Sequence, residues 1–169
     1  MEIKKLNLLR LHNVITSLEG EKYSVKFSYF LAKNKVTMRD EIETLEEVSK
    51  VSEEFQAFEN ERIGLAQKHA DKNEDGSPQI QNDNFVLNEN VGLFQKEFGE
   101  LIEQNRDVIS KREKQLKEFN EILGQNTEFE GSKISVEDIP QNIEPVKIEC
   151  FILADLIIEE DVIQINWEK

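Results

Sequence analysis

The chain has 169 residues, of which 38% are hydrophobic and 33% charged, leaner in apolar groups and richer in charge than the ~45–50% and ~25% of ordinary globular domains. Its length bounds it to one domain, or a small domain with a long appendage, and the balance favours much surface over a large core. The net charge of −14 is split, with eight Lys/Arg against three acids in residues 1–39 and thirteen against thirty-two thereafter. That excludes a nucleic-acid binder of the basic-patch type and describes a solvated acidic surface.

The N-terminal segment 1–23 includes "LNLLRLHNVITSLE", residues 6–19, whose Leu8, Leu11, Val14, Ile15 and Leu18 share one face of a short helix. It lacks the small-residue cleavage site of a signal peptide. No apolar run approaches the ~18 residues of a membrane span, so the expectation is a soluble chain, made in a cytoplasm and without membrane contact.

From Ser24, a reasonable N-cap, to about Ala70 the chain has no proline and one glycine, with Phe27, Leu31, Met38, Ile42, Leu45, Val48, Phe55, Phe58 and Leu65 at steps dominated by three, four and seven. One long amphipathic helix is predicted, with "NKVT" at 34–37 as a candidate break. A second stripe runs through Val91, Phe94, Phe98, Leu101, Asn105, Val108, Arg112, Leu116, Phe119 and Leu123, and Gly124 supplies the stop. Two such helices joined by a short segment should fold back as an antiparallel, coiled-coil-like hairpin over residues 24–124. Their Phe-rich faces leave apolar surface that one partner does not cover, so self-association is expected.

The segment 71–88 lies at the tip. Its "DKNEDGSPQIQN" places Asp71, Asn73, Asp75 and Gly76 where an EF-hand loop has oxygen ligands and its glycine, making these three side chains the candidate calcium ligands. Pro78 and Asn82 then occupy the eighth and twelfth positions, where a β-pairing residue and a bidentate glutamate are needed. A turn at "DGSP", followed by short strands "QIQ" and "NFVL" about Asn82-Asp83, is the expected structure.

Residues 125–169 hold the two prolines other than Pro78, namely Pro140 and Pro145, and are dense in Ile and Val. "KISV", "VKIECFIL" and "VIQINW" can be strands, although "ECFILADLIIEED" also has helical spacing, so 149–160 is open between the two. The termini are expected to pack into a small α+β head holding the main core, with Cys150 a core residue.

No chemistry suggests itself. The seven glycines form no phosphate-binding loop. His12 and His69 are far apart, the single cysteine offers no zinc set, and His69 reads as a favourable charge at a helix C-terminus or a surface residue. Catalytic, cofactor and metal sites are therefore expected to be absent, and the chain to be non-enzymatic.

"YSVKFSYFLAKN", "FENERIGLAQKHADKNEDGSP", "FQKEFGELI" and "ISVEDIP" followed by "IIEED" resemble, over residues 22–161, a group of small acidic helical-hairpin proteins of unknown function from tailed bacteriophages. More remotely, the order of parts is similar to prefoldin, whose coiled-coil helices are joined through β-hairpins, although the C-terminal tail departs from that pattern. The phage resemblance implies a structural or assembly component, located in the host cytoplasm or the virion and bound to other virion proteins. The alternative is an inhibitor of a host protein, including an acidic DNA mimic. Nine acids in residues 40–61 span ~33 Å of helix, where duplex DNA presents ~19 charges. Mimicry would need acids from a second helix or subunit.

Overall fold

The computed structural model describes residues 1–158. It is mainly helical with a small antiparallel strand part. In chain order come β1 (Glu2–Lys4), α1 (Lys5–Leu18), α2 (Val25–Ser49), α3 (Glu53–His69), β2 (Ile80–Gln81), β3 (Asn84–Phe85), α4 (Val91–Gln104), α5 (Arg106–Leu123), β4 (Asn126–Glu128), a 3₁₀ turn (Val136–Asp138) and α6 (Pro145–Leu153). Among the described residues two compact units result, one of residues 1–49 with 118–158, the other Lys50–Lys117. They divide within the segments read as two long helices, not at residues 23 and 124.

The predicted single helix over 24–70 is two helices. Ser24 begins α2 as expected, its hydroxyl accepting from the Phe27 amide at 3.2 Å. The break falls at Lys50–Ser52 rather than at 34–37, because Ser52 caps a new helix by accepting from the Phe55 amide at 3.2 Å. Glu53 and Glu54 follow in its first turn, where the helix dipole favours negative charge. The second stripe divides at Asn105, whose φ of −106° and ψ of 15° leave helical geometry. Its side-chain amide donates to the Leu101 carbonyl at 3.0 Å, competing with the helical ladder. Beyond it, α5 ends at Leu123 with Gly124 following, as predicted.

The first unit holds most of the core. Leu8, Leu11, Ile15 and Leu18 of α1 pack with Phe27, Phe30, Leu31, Met38, Ile42 and Leu45 of α2 and with Phe151, Leu156 and Ile157 from the C-terminal stretch. The rings of Phe27, Phe30 and Phe151 meet at centroid distances of 5.3–6.4 Å, a geometry that adds to burial. β1 pairs antiparallel with β4, Ile3 opposite Thr127, and neither strand was anticipated.

Asn34, inside the segment suspected of breaking α2, is buried and continues the helix. Its side-chain amide donates to the carbonyls of Phe30 at 2.9 Å and Ser132 at 3.0 Å, while its Oδ1 accepts from the Ser132 amide at 2.9 Å. A helix is thereby tied to a loop 98 residues away. Gly131 makes the approach possible: a Cβ there would collide with Leu156 Cδ2 and lie 2.5 Å from Asn34 Oδ1.

"VKIECFIL" is not a strand. Pro145 opens α6 at its first turn, the position where its missing N–H costs nothing. The helix runs through Leu153, settling 149–153 as helical; Ile134 and Ile157 form an isolated parallel bridge. The strand read at "VIQINW" lies outside the described residues. Cys150 is half-buried rather than a full core residue; its neighbour Phe151 fills the core. Burial, and then the charge of Glu149, push the Cys150 thiol pKa up, away from the thiolate that reacts.

Candidate interaction surface

The second unit is built from α3, the tip, the helix α4 that returns against α3, and α5 as far as Lys117. The tip contains two nested turns. In the first, the Gly76 amide donates to the Asn73 carbonyl and the Asn73 amide to the Ser77 carbonyl, both at 2.9 Å. Gly76 takes a φ of +81°, the left-handed geometry of a three-residue hairpin loop closed by a bulge. In the second, β2 and β3 pair about Asn82 and Asp83, whose φ values of 50° and 61° are those of a type I′ turn. Both turns are where the sequence placed them.

The candidate calcium side chains are spent on this loop. Asp71 accepts from the amides of Asn88 and Glu89 at 3.1–3.2 Å, clamping the tip's two ends. Asn73 donates to the Ser77 hydroxyl at 3.0 Å. Asp75 accepts from the Ser77 hydroxyl at 2.6 Å and its amide at 2.9 Å, and these two bonds, the hydroxyl's first, hold its carboxyl below the usual range. Asp71 thus faces the amides preceding α4 while Asp75 folds over its own turn. No group of three or more His, Cys, Asp or Glu able to hold a metal occurs among the described residues.

His69 is not a surface residue. It is buried at the end of α3, its ring edge-on to Phe94 at 6.4 Å. Its Nε2 stands 3.1 Å from Glu97 Oε2 without a well-aligned hydrogen bond, so proximity rather than direction makes the contact. Glu97 also receives Lys68 at 2.6 Å. Lys68 first, and His69 second, hold the Glu97 carboxyl below its ordinary range. The pairing staples the last turn of α3 to α4, and nothing in the Phe stripe pointed to it.

Beside this staple runs an open groove of about 600 Å³ between α3 and α4. Leu65, Leu93 and Leu101 line it, with Glu61, Lys68, Lys96, Glu97 and Glu100 along its edges. It is open at Gly64, where a Cβ would meet nothing within 4 Å. Leu93 is 58% exposed, and Ile63, Val91 and Ile102 are exposed as well. The only buried residues of this unit are Phe58, His69, Ala70 and Leu101, too few to form a core of their own. What sequence reasoning missed is this groove; Gly64, unexplained inside a helix, was its one available signal.

Comparisons with protein-family models, with curated proteins and with solved structures find no match for this chain. No helix among the described residues is long and apolar enough to cross a membrane.

Proposed function

We propose that the chain is a non-enzymatic protein-interaction protein whose second unit presents a docking surface, working as a structural or assembly component of the tailed-phage kind that its sequence resembles. The observation that carries this reading is the disproportion within that unit, where Leu93, Ile63, Val91 and Ile102 are exposed and only four residues are buried. Leu65, Leu93 and Leu101, which line a groove edged by Glu61, Lys68, Lys96, Glu97 and Glu100, have the composition of a surface that a partner covers. Residues 24–124 working as one long hairpin is part of the same proposal. The partner is another virion protein or a further copy of this chain, in the host cytoplasm or the virion.

The alternative, inhibition of a host protein through an acidic surface, draws on the acids of residues 40–61. Several are engaged locally: Glu41 stands 2.8 Å from Lys5, and Glu59 accepts Arg62 at 2.8 Å. Affinity capture of the tagged full chain from expressing cells, with Leu93→Asp/Val91→Asp as control, tests the reading. The proposal expects virion proteins, or the chain itself, to be recovered with the native sequence and lost with the control. One host enzyme at fixed stoichiometry would favour inhibition, and equal recovery with both would remove the docking surface.

A further inference from the structure

We infer that the α3–α4 groove is a self-complementary surface on which a second copy of this chain docks, the two α4 helices running antiparallel about a two-fold axis at the level of Phe98. This rests on the docking reading above and names its partner. The charges along the groove select it. Glu97 is occupied by Lys68 and His69, whereas Lys96 and Glu100 form no ion pair among the described residues. They lie two residues either side of Phe98 on the same edge of the helix, since positions four apart share a face.

In an antiparallel pairing about Phe98, Lys96 of each copy comes opposite Glu100 of the other, giving two symmetric contacts of opposite sign. An isologous interface demands this, because residue i meets residue j and j meets i. The apolar groups fit the same register. Leu93 of one copy reaches the level of residues 101–104 in the other. On the facing helix that level is flanked by Glu61 and Gly64, and the missing side chain at Gly64 leaves room for a leucine. Gly in a helix interior is unfavourable, and among the described residues nothing beyond its own stretch of helix comes within 4 Å of where a Cβ at Gly64 would sit, so a partner's close approach gives it a role.

Sedimentation equilibrium of the full chain over a range of concentrations tests this through charge reversal. The native chain should dimerise, with circular dichroism confirming that every variant keeps its helices. Lys96→Glu and Glu100→Lys each place like charges opposite one another and should weaken the dimer at least about tenfold. The double variant Lys96→Glu/Glu100→Lys restores opposite signs and should recover the native constant within about threefold. Gly64→Trp, which fills the groove, should also weaken it at least about tenfold. A strict monomer, or a dimer indifferent to the single reversals, would overturn the inference. A monomer that still captures a different protein through Leu93 would sink this inference alone, leaving the docking reading intact.

Discussion

Asn34→Leu removes the polar tie in the first unit while keeping a side chain of similar size. The native Asn34 satisfies both the amide and the carbonyl of Ser132. Each buried backbone group left unpaired costs ~1–3 kcal/mol, and Ser132 is half-buried, which places both at the lower end. The Phe30 carbonyl retains its helical setting, so its loss adds little. The sum is ~2–3 kcal/mol of destabilisation, a large share of the ~5–15 kcal/mol of a typical domain. Asn34→Asp keeps the acceptor for the Ser132 amide but turns an oxygen toward two carbonyls. It should cost at least as much at neutral pH and less in acid, where a protonated carboxyl can donate. Urea unfolding followed by helical circular dichroism reads all three proteins. An Asn34→Leu protein within ~0.5 kcal/mol of the native one, the range of an ordinary surface change, would refute the reasoning.

Gly131→Ala should destabilise by ~1–3 kcal/mol through overpacking; because one clash is with Asn34 Oδ1, combining it with Asn34→Ala should cost less than the sum of the two in the same assay. Asp71→Ala should loosen the tip by ~1 kcal/mol, as loss of a cap does, read as faster amide exchange at Asn88 and Glu89; unchanged exchange would show that the clamp is idle. Asp75 has a folded pKa below its unfolded value, so its bonds to Ser77 stabilise fully above the ordinary ~3.9 and are lost as pH falls through the folded value. The Ser77 amide shift should therefore titrate with a midpoint below ~3.9, and a midpoint at or above it would contradict the geometry. Calcium at millimolar concentration, the weak end of EF-hand affinities near ~10⁻³ M, should leave the tip's amide shifts unmoved, because Asp71 and Asp75 are turned to different amides.

The turns and helix faces were legible because their signals are local. Asp75-Gly76 and Asn82-Asp83 specify backbone geometry by themselves, and the spacing of Leu8, Leu11, Ile15 and Leu18 specifies a buried face. The helix break was legible too, in Ser52 followed by two glutamates, but continuous apolar spacing across it concealed a cap that interrupts the backbone without disturbing the stripe. Asn34 misled for a related reason: asparagine disfavours helix interiors through local backbone bonds, and here a loop distant in sequence supplies better ones. The burial of His69 and the groove at Gly64 both depend on which residues α4 brings opposite α3. Periodicity gives the face of each helix but not the axial register between them.

The docking surface is tested most directly by a photoreactive phenylalanine analogue placed at Leu93, with a matched position at exposed Glu121, in full chains expressed in cells. Irradiation should yield discrete protein adducts from position 93, including the chain cross-linked to itself, and none of these from position 121. Absence of any protein adduct from position 93, or the same adducts from both positions, would contradict the account.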